Sequence, residues 1–464
     1  MPRQHASQRS FLSRRAPEMP EGYYSSGPNP NLRRFVEEHA TPYDPATDDY
    51  DVPPFSRPIT TTKATAIYNM HTYWSKKPHD AIQQYIRHYT KPGDLVLDPF
   101  CGSGSTALAA LMEGRAAIAI DLSPAATFIT KNYCTPVDPD ALQAAFVELE
   151  RKVKPEIDWL YETRCDRCGG RAATGYTVFS QTYQCPRCMA IVPLFDCPEV
   201  AGRTAAGKPR KVRVCPHCHA RGHEEEVSTR SERLGAIPVL VSYLCEEGCK
   251  PQRGERRHDD PDSRKRRYFQ EYDLDKIAEI EAKEIPHWVP PHRMMNVESD
   301  TEPWGDKWRA GTSNFRTVAE LFTKRNLWAL ATIRQSIETL DVSPPVRDAL
   351  LFCFSSMCLF VTKMHQDNSG TGGNITKGTY YLPPISKDMH VLEAFGRKIG
   401  AIRRGKAAMG GSTIGRDLTI STGDAGNLSE IPDNTLDAIF TDPPYAGKVQ
   451  YGELNFVWEA WLGF

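Results

Sequence analysis

The 464-residue chain has almost no net charge, since 57 Lys and Arg face 58 Asp and Glu for a formal −1. No chain-wide positive field therefore draws in a polyanion, and any nucleic-acid contact must use local basic patches. A run of about 18 consecutive apolar residues is also lacking, which argues against a membrane span given the thickness of the hydrocarbon core. There is no apolar signal segment either. Thirteen cysteines would suit a small secreted disulfide scaffold, but eight of them fall in close pairs within one region of a long chain. That pattern points instead to metal in a reducing, cytoplasmic setting. Arg3, Arg9, Arg14 and Arg15 precede the first acidic residue, Glu18. Without an amphipathic stripe they read as a disordered basic arm rather than a transit peptide.

Residues 1–63 are rich in Pro, Ser, Arg and Asp and are expected to form a disordered lead-in. Ile82, Tyr85, Ile86 and Tyr89 then recur at helical spacing after Pro78. Two apolar runs follow, Leu95-Val96-Leu97 and Ala116 to Ile120, separated by a Gly-containing turn and the helical stretch Thr106 to Met112. This is a β-α-β unit, hence the start of a parallel sheet in an α/β fold. The rhythm stops after Lys131 and resumes only with Leu418-Thr419-Ile420 and Leu436 to Phe440, so a large insert lies between. The expected division is 64–135 for a cofactor-binding part, 136–272 for a metal module, 273–415 for a helical, target-recognising region and 416–464 for a catalytic part.

Asp98-Pro99-Phe100-Cys101-Gly102-Ser103-Gly104-Ser105-Thr106 sits where the first strand turns into its helix, at the carboxyl edge where open α/β sheets bind ligands. Its glycines let backbone approach a ligand, and Asp121, closing the second strand, can accept hydrogen bonds from both ribose hydroxyls of an adenosine-containing cofactor. That layout suits NAD and S-adenosylmethionine alike. The turn lacks the third glycine of the dinucleotide fingerprint, which favours the cofactor without a pyrophosphate.

The strand Leu436 to Phe440 runs into Thr441-Asp442-Pro443-Pro444-Tyr445. Two prolines fix φ and remove two N–H donors, leaving carbonyls and the Asp442 carboxylate as acceptors. The exocyclic amine of adenine or cytosine is a poor nucleophile because its lone pair is delocalised into the ring. Accepting its N–H bonds, at the Asp442 carboxylate and the Pro443 carbonyl, would turn that lone pair outward. Tyr445 offers a π-face for a base lifted out of a duplex, a contact worth about 1–3 kcal/mol in single-strand binders against an unstacking cost of a few kcal/mol. Gly423-Asp424-Ala425 adds a third carboxylate at the same edge, where it could bind the cofactor's adenine amine.

Cys165-x-x-Cys168 followed by Cys185-x-x-Cys188, then Cys215-x-x-Cys218 followed by Cys245-x-x-x-Cys249, give two sets of four thiolates at zinc-ribbon spacing. About two structural zinc ions are expected, supplying folding energy that the polar intervening sequence lacks. Crossed pairing, or His217 or His219 in place of a cysteine, stays open. The basic clusters Lys208 to Arg213 and Arg253 to Arg267 read equally well as phosphate-binding or as merely solvated.

Together these motifs resemble the amino-methyltransferases of DNA, and the cysteine pairs narrow the likeness to adenine-specific DNA methylases that contain a zinc ribbon. The resemblance spans about residues 64 to 464. It implies a Rossmann-like methyltransferase sheet, S-adenosylmethionine as donor, an adenine N6 amine of double-stranded DNA as acceptor, and a restriction-modification or phage-defence setting. Asp98, Pro99, Ser105 and Thr106 belong to the cofactor motif. Phe100, Gly102 and Gly104 would cradle the methionine part, Asp121 the ribose and Asp424 the adenine ring. Asp442, Pro443, Pro444 and Tyr445 would form the methylation pocket. His71 to Pro78 is similar to the family's pre-strand motif, which assigns Lys77 to the cofactor tail. Cytosine N4 or RNA as acceptor, or a catalytically silent nucleic-acid-binding fragment, are the alternatives. The family's sheet continues with three further strands, yet only Gly447 to Phe464 follow here. A truncated chain or half of a split enzyme is therefore expected, with the apolar face Leu454, Val457, Trp458, Trp461 and Leu462 awaiting a complementing chain.

Overall fold

The computed structural model describes residues 26–41, 43–203, 207–229, 231–294, 317–367, 375, 380–410, 417–444 and 451–464. The basic arm at Arg3 to Arg15 lies outside them. The chain divides into two compact units, one drawn from Met1–Lys152, Ile333–Cys358 and Phe395–Phe464, the other from Val153–Thr332 and Leu359–Ala394.

The first unit is built on a four-stranded, wholly parallel sheet. Its strands are β1 (Leu95–Asp98), β2 (Ala116–Asp121), β3 (Leu418–Thr422) and β4 (Ala438–Ile439), in spatial order β3-β2-β1-β4. In register, Leu97 lies beside both Ile118 and Ile439, and Thr422 lies beside Asp121. Strands this apolar need cover on both faces, and β1 and β3 are buried throughout. The helices Ser105–Met112 and Pro124–Cys134 follow β1 and β2. Ser123 caps the second of these by accepting from the Ala126 N–H, with Pro124 at its first position.

Three expectations need correction here. Residues 26–63 are not a structureless lead-in, because they include the helix Leu32–His39, whose Leu32, Phe35 and Val36 pack on Leu95, Leu97, Ile118 and Ile120. Three apolar side chains on one helical face suffice to bury it, and chain-average polarity hides so short a stripe. Just before it, Asn29 bonds to Thr419 Oγ1 and the Ile420 carbonyl at 2.9 and 3.0 Å, covering the β3 edge. Second, the apolar face of the helix Tyr451–Leu462 finds partners within this unit. Leu454, Val457, Trp458, Trp461 and Leu462 are all buried, Trp458 stacks near Tyr73 and Trp74, and Trp461 meets Phe354 edge-on at 5.5 Å. Third, the helix Pro344–Cys358 packs in the parallel-sheet unit rather than with the cysteine module. The stretch Pro344–Val361 is long and apolar enough to pass for a membrane span, although it contains Arg347 and Asp348, and 72% of it is buried inside the protein. That is how a core helix behaves.

The second unit holds an antiparallel sheet in which Arg171–Gln184 is paired on one side with Ile385–Met389 and on the other with Ala236–Cys245, which in turn pairs with Arg253–Arg257. One apolar cluster of this unit gathers around Tyr183, Val192, Val239 and four cysteines, Cys185, Cys197, Cys215 and Cys218.

Candidate functional site

The turn after β1 curls back under the end of β2. Gly102 N–H donates to Asp121 Oδ2 at 2.8 Å and Ser123 N–H to Asp121 Oδ1 at 3.0 Å, so backbone amides fix the carboxylate in one orientation. Burial nevertheless raises the Asp121 pKa from its ordinary value. Gly102 and Gly104 both take positive φ, +52° and +78°. A Cβ at Gly102 would stand 2.9 Å from the Tyr73 ring, and one at Gly104 would stand 2.7 Å from Thr130 Cγ2. These glycines therefore admit neighbouring side chains, in addition to shaping the turn.

Asp98 is only 4% exposed. Burial lifts its pKa to about 6, while bonds from the Thr106 and Thr441 side chains and the Phe100 N–H pull the other way. Its carboxylate thus ties the turn after β1 to the loop after β4. Ser105 Oγ donates to the Lys77 carbonyl at 2.8 Å. Lys77 in turn places its ammonium 2.6 Å from Asp442 Oδ2. Asp98, Ser105, Thr106 and Lys77 act here as braces behind the cavity wall, a role sequence spacing does not distinguish from ligand contact.

The carboxyl ends of all four strands open onto a cavity of about 440 Å³, within the ordinary range for small-molecule sites. Pro99, Phe100, Gly102, Asp121, Asp424, Asp442 and Pro444, all singled out in the sequence, line it. Gly104 and Pro443 do not, and Tyr445 lies outside the described residues. The motifs missed Leu122, Ser123, Tyr451 and Glu459. Ser123 Oγ donates to Glu459 Oε1 at 2.6 Å, and Asn455 Nδ2 donates to both Ser123 Oγ and Tyr73 OH, at 3.0 and 3.3 Å. Burial raises the Glu459 pKa. A glutamate set between Trp458 and Trp461 on the apolar run of the helix Tyr451–Leu462 is the signal that could have flagged it. Leu122, 75% exposed beside Asp121, offers an apolar surface at the rim.

The charge of the lining decides what it suits. Asp121, Asp424, Asp442 and Glu459 contribute four carboxylates, and among the described residues no Lys or Arg lines the cavity, Lys77 reaching only Asp442 at its edge. A dinucleotide's pyrophosphate would meet repulsion there. A cationic ligand carrying a ribose and a flat ring would meet attraction, two acceptors and apolar surface.

The eight paired cysteines do come together in two fours, but the sets are nested rather than sequential. Cys165 and Cys168 meet Cys245 and Cys249, while Cys185 and Cys188 meet Cys215 and Cys218. The cause is the long pairing of Arg171–Gln184 with Ala236–Cys245, which sets Ala172 opposite Cys245 at one end and Gln181 opposite Ala236 at the other. Neighbouring sulfurs lie 3.9 Å (Cys165 to Cys249), 3.7 Å (Cys168 to Cys245), 3.7 Å (Cys185 to Cys218) and 3.6 Å (Cys188 to Cys215) apart. A tetrahedron with zinc–sulfur bonds of about 2.3 Å has edges of about 3.8 Å. His217 and His219 belong to neither set. The Ala190 N–H, with the neighbouring thiols, draws the Cys188 thiol down to about 7. Against burial, which raises it, the Cys168 and Arg167 N–H groups bring Cys165 to about 6. In the same tetrads burial and the neighbouring thiols push Cys218 up to about 12, and the neighbouring thiols push Cys249 up to about 12, so each tetrad holds its protons unevenly.

A parallel sheet whose strand ends carry a carboxylate-lined cavity defines an α/β protein built to bind a small ligand at that edge. Residues 32–132 match the DNA methylase family profile. Among curated proteins, the chain is similar to a putative methylase, YubD, of Escherichia coli, at 50% identity over 48 residues, 10% of this chain and 21% of that protein. It is also similar to the type II methyltransferase M1.MboII of Moraxella bovis, at 46% identity over 52 residues, 11% and 20% of the two chains. A third similarity is to the type II methyltransferase M.MjaII of Methanocaldococcus jannaschii, at 26% identity over 88 residues, 19% and 17% of the two. The chain thus spans about a fifth of the length of the curated relatives it matches. No solved structure gives a significant match.

Proposed function

We propose that the chain is an S-adenosylmethionine-dependent DNA methyltransferase acting on the exocyclic amine of an extruded base, adenine N6 in preference to cytosine N4. The observation that carries this is the cavity itself, with Asp121, Asp424, Asp442 and Glu459 and, among the described residues, no basic one in its walls. The family match over residues 32–132 supports it independently. S-adenosylmethionine, when bound, would supply an electrophilic sulfonium methyl. Asp121, already oriented by two amides, has lone pairs left for ribose hydroxyls, Leu122 and Phe100 give a flat ring apolar contact, and Asp424 can accept from its amine. The carboxylates favour a positive charge between them.

Asp442 accepts the N–H bonds of the incoming amine, so that nitrogen's lone pair points into the cavity. Lys77 holds that carboxylate through Oδ2 at 2.6 Å and competes with the amine for its lone pairs. Aligning nitrogen and methyl in this way is the kind of positioning that can remove about 7–11 kcal/mol of a barrier. The two cysteine sets would hold structural zinc, in keeping with their sulfur spacing. A restriction-modification or phage-defence setting, cytoplasmic location and a target-recognising role for the cysteine unit complete the reading.

Calorimetric titration tests the first half: binding of S-adenosylmethionine and not of NAD is expected, and tighter binding of NAD would overturn it. Nucleoside mass spectrometry of DNA incubated with the protein and cofactor tests the second. N6-methyladenine is expected, and N4-methylcytosine alone would correct the acceptor.

A further inference from the structure

The two cysteine sets differ in the charge around them. Near the inner set, Arg210, Lys211 and Arg213 are spent on Glu226 and Glu199, at 2.5, 3.2 and 3.1 Å, leaving Arg187 and Arg221 exposed without an ion pair among the described residues. Near the outer set, Arg167, Lys250, Arg253 and Arg264 are exposed, and among the described residues none of them makes an ion pair. Their backbones are held close together. The Arg167 guanidinium donates to the Pro251 and Gln252 carbonyls at 2.5 and 3.1 Å, and Arg264 Nη2 lies 3.5 Å from the Arg167 carbonyl. Arg253 is fixed opposite Leu244, next to Cys245, by the strand pairing. The fully buried Arg256, bound to Asp273 at 2.6 Å and to the Arg164 carbonyl at 2.7 Å, anchors the strand from behind.

Four thiolates around a divalent ion leave a charge of roughly −2, which two cations would balance. Four exposed cations exceed that requirement even when the exposed Glu247 beside Gly170 is counted against them, and among the described residues none of the four is ion-paired. We propose that the surface formed by Arg167, Lys250, Arg253 and Arg264 around the outer cysteine set is a contact for the phosphate backbone of duplex DNA, separate from the strand-edge cavity. Duplex DNA is chosen as partner on the proposed function. The site itself rests on the charge and geometry just described. Such a contact carries no sequence information and would hold the duplex rather than read it.

The test is fluorescence anisotropy of a labelled random-sequence duplex over a range of salt, with zinc-loaded full-length protein. The variant Lys250→Gln, Arg253→Gln, Arg264→Gln spares Arg167, whose bonds to Pro251 and Gln252 are structural. Each phosphate contact contributes about 0.9 to the slope of log affinity against log salt. The triple variant should therefore lower that slope by about 2.7 and weaken binding at least tenfold at low salt. A control triple, Lys91→Gln, Arg151→Gln, Lys154→Gln, should change neither.

Zinc content and melting temperature equal to wild type exclude misfolding as the cause. Should any triple variant lose zinc, Arg264→Gln alone must still lower the slope by about 0.9. An unchanged slope, an equal loss in the control triple, or tighter binding of duplex RNA in a manner that the triple variant abolishes would each overturn the assignment. Titration of the triple variant with S-adenosylmethionine separates this outcome from failure of the proposed function, because cofactor affinity should be unaltered.

Discussion

The two units of this chain reach order by different physical means. In the parallel-sheet unit, apolar strands are buried on both faces and the site is assembled by topology, since one turn or loop after each of four strands delivers one part of the cavity wall. In the antiparallel unit, the long strand Arg171–Gln184 mixes buried with half-exposed positions, and one apolar cluster includes four cysteines. With zinc, the nested sulfur tetrads there would join segments far apart in sequence. Burial repays chain entropy in the parallel-sheet unit, and in the other unit metal would add to burial.

Removing metal should separate the two most strongly. Structural zinc contributes apparent energies of about 10–16 kcal/mol in small modules, so a strong chelator should expose 162–257 to limited proteolysis while 95–134 stays protected. Equal cleavage of both regions would break the comparison. Nesting is tested by Cys165→Ser with Cys249→Ser, which should cost one zinc ion of about two per chain. Loss of both would restore sequential pairing.

Within the sheet unit, Asp98 carries the next largest effect. Its pKa is raised to about 6 in the folded state, so the folded protein binds the proton more tightly than the unfolded chain. Its contribution to stability is then greatest at low pH and is lost as pH rises from about 4 to 6, by up to about 3 kcal/mol. Asp98→Asn should flatten this part of the stability profile measured by denaturant, and an unaltered slope would refute the burial argument. Asp121→Asn comes next, weakening S-adenosylmethionine binding about tenfold, equivalent to the loss of a charge-assisted hydrogen bond of about 1.5 kcal/mol. The smallest effect is expected from Lys77→Met. An ion pair this exposed is worth up to about 1 kcal/mol, so freeing Asp442 should lower the KM for DNA up to about fivefold with kcat little changed. A raised KM would assign Lys77 to substrate binding instead.

The strands at Leu95, Ala116, Leu418 and Ala438 were legible because fully buried parallel strands appear as short apolar runs, and the carboxylates at their ends because strand ends mark the ligand edge. The braces were not separable from the lining, since Asp98 and Asp121 occupy similar positions and only three-dimensional packing turns one inward. Cysteine pairing was ambiguous because spacing within each pair is local, whereas partner choice depends on the register of a strand pairing sixty residues apart. Helix Leu32–His39 was missed because eight residues with three apolar contacts vanish in a polar average. Glu459 was not legible because it stands on a helix and not at a strand end, where sequence marks the ligand edge.

The central claim is that Asp442 and the carboxylate-lined cavity serve one methyl transfer. Wild type and Asp442→Ala are incubated with duplex DNA and S-adenosylmethionine labelled on its methyl group, with cofactor binding measured alongside. Wild type should label the DNA, and the variant should still bind cofactor, more weakly by the loss of one of four carboxylates, yet at saturating cofactor transfer at least about 100-fold more slowly, the cost of losing one preorganised polar group at a reacting centre. Equal labelling by both proteins would contradict the account.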